Sequence, residues 1–177
     1  EKLAERYAVN KSVYFILKKL RSRMIRKAED ELLKPAADIL AEITDNEYQK
    51  IEAAANLEEA EFKTADSEAD SLKNTAALSR GSLEQLFLAV RISRIKEIKP
   101  PLPVVLDDSF VNFDRSHLYN TAEIISRLAS KNQIFILSCH PHLIKLISQL
   151  SSSAQYWKLE KGKFELSEAE ALKNYLS

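Results

Sequence analysis

Two glycines, Gly81 and Gly162, are all that the 177 residues contain. Such scarcity restricts the backbone, because left-handed turns, close chain crossings and phosphate-cradling loops rely on a residue without a Cβ. A GxxxxGK[ST] loop needs two glycines within one short motif, so this chain has none and lacks that cradle for the β- and γ-phosphates of a nucleotide. Gly162 lies between QYWKLE and KFELS, two alternating runs that predict a hairpin whose turn it supplies. Gly81 lies in LSRGSLEQLFLAVRI, where polar loop becomes apolar helix. Ser82 followed by Gln85 matches a capping box, so the helix is expected to begin near Ser82 with its first amides free for an anion. Gly81 would let a phosphate approach the backbone closely, and Ser79 would add a hydroxyl donor.

Composition excludes several classes. Basic and acidic residues balance at 26 each, so no global field points to nucleic acid or membrane, and any such contact must come from a local patch. No apolar run is long enough to span a bilayer, and EKLAERYAVN is not a signal peptide, which makes the cytoplasm the expected setting. The single cysteine, Cys139, permits no internal disulfide, offers too few ligands for zinc, and reads as a small buried residue. The chain opens on Glu1 and its one methionine is Met24, as expected for a piece of a longer product.

Positions 3, 7, 10, 14, 17, 21 and 24 repeat with the alternating spacing of a coiled-coil seam, interrupted by Asn10 and Arg21. An amphipathic helix lying on a globular core gives the same spacing, and both readings stand. Lys18, Lys19, Arg21, Arg23, Arg26 and Lys27 follow without an acid among them, either a phosphate-backbone contact or a solvated face. Pro35 is expected to interrupt before ADILAEIT resumes a short helix. EYQKIEA and EAEFKTA predict two strands joined at Asn56, and DSEADSLKNTAA reads as loop.

Beyond the LSRG stretch, LFLAVRISRIKEI predicts a helix, PVVLDD a short strand, residues 117–130 an amphipathic helix, NQIFILSCH a buried strand, and PHLIKLISQL a further helix. Strand, helix, strand, helix implies a parallel crossover with ligands at the carboxyl ends of the strands. Asp107, Asp108 and His140 all fall at those ends. Paired aspartates there suit Mg2+, and the second carboxylate is placed to polarise an attacking water.

These stretches together carry a resemblance. LSRGSLEQ (78–85) resembles the signature motif of ABC-type ATPases, PVVLDD (103–108) their Walker B strand, SFVNFD (109–114) their D-loop, and SCH the strand ending in the switch histidine, His140, all in the family order. Within that superfamily the chain is similar to the C-terminal half-heads of SMC, RecF and SbcC-type proteins, and especially to YhaN-like ATPases. The resemblance implies an α/β fold: the C-terminal lobe of a P-loop, ABC-type NTPase head (35–177), with an N-terminal coiled-coil-like helix (1–34). It also implies ATP and Mg2+ as cofactors. Asp107 would hold Mg2+ through water, Asp108 would be the general base, and His140 would contact the γ-phosphate. Ser79, Gly81, Ser82 and Gln85 would cover the nucleotide of a partner subunit, and Asn112 with Asp114 would communicate across the dimer interface. Lys18, Lys19, Arg23, Arg26 and Lys27 would contact DNA.

The implied partners are an N-terminal Walker A lobe of the same protein, a second copy joined through ATP, DNA, and a metallophosphoesterase-type nuclease subunit, with no membrane. The implied setting is the cytoplasm, on the nucleoid. Asp108 stands where most ABC ATPases have glutamate, so a catalytically silent interaction module remains an alternative. A transporter nucleotide-binding domain fits less well, because a basic helix occupies the stretch where its phosphate loop would lie.

Overall fold

The computed structural model describes residues 2–53, 62–66, 69–74 and 78–177. Helix α1 (Lys2–Ala28) runs into a π-helical turn (Glu29–Leu33) and then α2 (Lys34–Ile43). The expected break at Pro35 is therefore absent. Pro35 occupies the first turn of α2, where amides have no intrahelical partner and a missing N–H costs little, and the widened turn before it carries the chain through. Ser93 Oγ donates to the Leu32 carbonyl at 3.2 Å, pinning that turn to the body of the protein.

Strands β1 (Tyr48–Ala53), β2 (Phe62–Asp66) and β3 (Ala69–Asn74) form an antiparallel sheet in sequence order. The two strands expected between residues 47 and 65 are present, and the turn expected at Asn56 lies outside the described residues. Residues 69–74, expected as loop, instead pair with β2. Antiparallel pairing satisfies their backbone groups without the apolar alternation that a sequence reading looks for.

Helix α3 (Arg80–Glu97) leads to β4 (Val104–Asp107), α4 (Arg115–Ala129), β5 (Ile134–Leu137) and α5 (Pro141–Leu150). β4 and β5 are parallel, with Val104 opposite Ile134 and Asp107 opposite Leu137, as the alternating order predicted. Leu40, Ile43, Leu86, Ile92 and Ile124 form the centre of a core closed by α2, α3 and α4. Asn120 Nδ2 donates to the Ile43 carbonyl and to Asp45 Oδ1, tying α4 to the end of α2. The tail forms a hairpin, β6 (Tyr156–Glu160) and β7 (Lys163–Ser167), followed by α6 (Ala169–Leu176). Lys161 and Gly162, both at positive φ, make its two-residue turn.

Glycine scarcity has a visible consequence here. Asp45, Asn46, Asp108 and Lys161 adopt positive φ, three of them residues whose short polar side chains tolerate the left-handed region best.

Among the described residues several apolar surfaces stay uncovered, one of them the hairpin face of Trp157, Leu159, Phe164 and Leu166. Val105 on β4 and Phe135 and Leu137 on β5 are 61%, 44% and 44% exposed, while Val104 and Leu106 point into the core. On α1, Leu3, Tyr7, Tyr14, Leu17, Leu20 and Met24 are exposed. No helix of the described residues is long and apolar enough to cross a membrane.

Candidate functional site

The carboxyl ends of β4 and β5 bring the predicted acidic pair and histidine together. The Asp108 amide donates to the Leu137 carbonyl at 3.0 Å, extending the parallel ladder by one step, and the chain then turns away through φ +47° at Asp108. Asp108 Oδ1 lies 3.8 Å from His140 Nε2. That gap is too long for a hydrogen bond, so neither group satisfies the other and both keep capacity for a third party. His140 begins α5 without making a side-chain cap, and its amide donates to Ser138 Oγ at 3.2 Å.

Asp107, the last residue of β4, is exposed and falls on the same face of the strand as Val105. An oxygen ligand of that kind fits Mg2+, which takes one or two carboxylates and completes its shell with water and phosphate oxygens. Cys139, expected to be buried, is exposed because it lies past the end of β5, beyond the covering helices. Its Sγ approaches His140 Nε2 at 4.0 Å. The ligand atoms of Asp108, Cys139 and His140 gather within 4.8 Å of one another, more metal-binding chemistry than the chain's single cysteine suggested.

The start of α3 differs from the expected capping box. Ser79 is the N-cap, its Oγ accepting from the Ser82 amide at 3.0 Å and lying 2.8 Å from Ser82 Oγ, so the helix begins at Arg80. Gln85 does not reach back to the cap. It falls on the face that α3 turns toward the core with Leu86, Leu88 and Ala89, and it is only 3% exposed. Its Nε2 meets His117 Nδ1 at 3.0 Å, so Gln85 supports the interior and does not present itself to a ligand. Ser79 and Ser82 remain at the surface end of the helix. A Cβ built on Gly81 would lie 2.6 Å from the backbone carbonyl oxygen of Asn112. The glycine is thus required within this chain, by the loop that follows Asp108, whatever approaches from outside.

That loop, residues 109–114, is anchored by Phe110, which is buried and packs edge-on against Phe113 at 5.9 Å. Asn112 Nδ2 donates to Glu84 Oε1 at 2.8 Å and to Oε2 at 2.9 Å. Asp114 caps α4, its Oδ1 accepting from the His117 amide at 2.9 Å, and its Oδ2 lies 2.9 Å from His117 Nδ1. Partial burial would raise the Asp114 pKa, but the His117 amide, the His117 imidazole and Ser116 outweigh it and hold the carboxyl below its ordinary value. Asn112 and Asp114, expected to communicate across an interface, are therefore both engaged inside the chain.

Sequence reasoning missed Glu84 as the partner of Asn112. Its local signal, Arg80 one helical turn earlier, gives only the Arg80 Nε to Glu84 Oε1 contact at 3.2 Å, whereas Asn112 arrives from across the β4 strand.

On α1, Lys18, Lys19, Arg23, Arg26 and Lys27 are all exposed. At about 3.6 residues per turn they fall on one half of the helix, which they share with the exposed Phe15 and Ile16, and Leu17, Leu20 and Met24 fall on the other. The basic side thus stays open if the apolar side is covered.

No family model matches the chain. Over 138 residues it is 28% identical to the uncharacterized protein YhaN of Bacillus subtilis (strain 168), a stretch covering 75% of this chain but only 14% of that protein. A chain from structural work on ATP-driven dimerization and DNA-stimulated activation of SMC ATPases aligns with a TM-score of 0.66 at 13% identity, over 87% of this chain and 94% of that one. The Smc head domain with a coiled coil and joint from Pyrococcus yayanosii aligns with a TM-score of 0.64 at 15% identity, over 98% of this chain and 33% of that one. The chain therefore has the α/β fold seen in SMC ATPase head domains, entered through a long N-terminal helix.

Proposed function

We propose that this chain is the C-terminal lobe of an SMC-like, ABC-type ATPase head that hydrolyses ATP at a head–head dimer interface and couples turnover to DNA. The observation that carries this reading is the approach of Asp108 Oδ1 to His140 Nε2, 3.8 Å apart at adjacent carboxyl ends of two parallel strands, where Asp107 is the last residue of β4. In this reading Asp108 orients a water in line with the terminal phosphorus and takes up its proton. His140 donates to a terminal phosphate oxygen, stabilising the charge that builds there. Asp107 would hold Mg2+, which would neutralise phosphate charge when bound. Ser79, Gly81 and Ser82, at the N-terminus of α3, face the nucleotide held by the second copy, where exposed amides and the helix dipole favour an anion.

The Walker A motif that this chain lacks belongs to the N-terminal lobe, which would cover the bare apolar face of Val105, Phe135 and Leu137. DNA contact falls to the basic half of α1. The nuclease subunit implied by the likeness to SbcC finds no support in the site or in these structural neighbours.

The test is Asp108→Asn in the intact protein that contains this chain. Asn keeps the size of the side chain and its acceptor oxygen but cannot take a proton. ATP-dependent dimerisation should persist, while steady-state phosphate release falls by about 100- to 1,000-fold, the scale on which single preorganised catalytic contacts act. Unchanged hydrolysis would assign the base to another residue. Absence of hydrolysis in the unsubstituted protein would favour the silent module.

A further inference from the structure

Glu84 lies within the 78–85 stretch but carries none of the roles given above, yet three contacts converge on it or beside it. Asn112 donates to both of its carboxylate oxygens at 2.8 and 2.9 Å. Arg80 Nε lies 3.2 Å from Oε1. One turn back, Gly81 lets the Asn112 carbonyl oxygen approach to 2.6 Å from where its Cβ would be. An exposed ion pair such as Arg80–Glu84 ordinarily contributes little, and Arg80 is indeed 84% exposed. The Asn112 contact differs in kind. Its amide meets both oxygens of one carboxylate, the acceptor is charged, and Glu84 is only about a third exposed, at 35%.

The loop itself has few other ties to its surroundings. Phe110 inserts into the core, and the Phe113 amide bonds back to the Phe110 carbonyl at 3.2 Å. Ser109 Oγ reaches only the Asp107 carbonyl, and Asp114 turns away to cap α4. Among the side-chain hydrogen bonds of the described residues, Asn112 to Glu84 is the link between this loop and α3.

We propose that Glu84 is a positioning residue, clamping the 109–114 loop to the first turns of α3 so that the Ser79–Ser82 end of the helix and Asp108 move as one unit. The proposal deepens the ATPase reading and rests on it for its catalytic consequence. A shift of α3 on meeting a nucleotide across the interface would be passed through Glu84 and Asn112 to the loop, and so to the placement of Asp108. Loss of the clamp would leave nucleotide affinity in place and misplace the base, which lowers kcat and leaves KM unchanged.

The experiment uses the intact protein with Glu84→Ala, Glu84→Gln, Asn112→Ala and the double variant Glu84→Ala/Asn112→Ala, followed by amide hydrogen exchange and ATPase kinetics. The alanine variants should each speed exchange at residues 110–113 and lower kcat by about 10- to 100-fold at constant KM, with the double variant no worse than either single one. Glu84→Gln keeps one acceptor oxygen and should recover most of both signals. Should an alanine variant fail to fold, the near-isosteric glutamine variant against Asn112→Ala carries the comparison. Unaltered exchange at 110–113, or strictly additive effects in the double variant, would overturn the clamp. If the unsubstituted protein hydrolysed no ATP, the ATPase reading would fail, and the exchange arm alone would decide whether Glu84 holds the loop.

Discussion

Gly81 and Gly162 answer differently to the same substitution. Gly162 has φ +76° and nothing within 4 Å of an added Cβ, so Gly162→Ala strains only the local backbone, by about 1–2 kcal/mol. Gly81→Ala drives a methyl into a backbone carbonyl at 2.6 Å, and the carbonyl is held by the loop around it. Overpacking of this sort costs about 1–3 kcal/mol, and relief requires the 109–114 loop to move. Thermal unfolding should therefore register both variants, but only Gly81→Ala should also change hydrogen exchange at 110–113. Equal exchange in the two would mean that the loop yields freely. The same contact alters what a bulkier change at this position means: Gly81→Asp, which the sequence alone presents as a block on a partner's phosphate, first collides with Asn112 of its own chain. The sequence shows that Gly81 needs closeness. It does not show closeness to what, because Asn112 is far away in the chain and contributes its main-chain oxygen, which leaves no mark in a side-chain pattern.

At the level of elements, the parallel β4–β5 pair and the helices around it follow from the residues almost as read, since VVLD and IFIL are short apolar runs separated by an amphipathic helical stretch, the order of a parallel crossover. Two elements do not. Residues 69–74 form a strand through pairing with β2, a non-local cause that periodicity cannot register, and Pro35 begins a helix where its ring predicts a stop. Helix α1 is helical as its spacing predicts, and its exposed apolar half agrees with a coiled-coil seam better than with packing on this core. Its basic half supplies a prediction of its own. Replacing Lys18, Lys19, Arg23 and Arg26 by Gln in the intact protein should weaken DNA binding and flatten the logarithmic salt dependence by about 0.9 for each phosphate no longer neutralised. A salt dependence that stays the same would remove α1 from the interface.

On the scale of the whole molecule, the site is visibly one-sided. Asp107, Asp108 and His140 line one edge of the two-stranded sheet, while the sheet face formed by Val105, Phe135 and Leu137 has no cover. These groups include no GxxxxGK[ST] phosphate loop, and with glycines only at positions 81 and 162 the sequence cannot contain one. Calorimetry of this chain by itself should therefore detect no micromolar binding of ATP, whereas an intact protein that supplies the proposed Walker A lobe should bind. Micromolar affinity in the isolated chain would mean that the Ser79–Ser82 helix end suffices as a phosphate site. Which residues line the edge is visible in the sequence. That Gln85 turns inward and that Glu84 takes its place beside the loop is not, because one helical step of about 100° decides which of two neighbouring polar residues is buried.

The contact between Gly81 and the Asn112 carbonyl also bears on descent. A main-chain oxygen cannot be altered by replacing residue 112, so no compensating substitution there would free position 81 to vary. Selection for a stable fold alone would keep this glycine, even in a lineage that had abandoned ATP. Its persistence among distant relatives would thus record packing as much as chemistry, and a census of active members of such a lineage is better taken from Asp108 and His140.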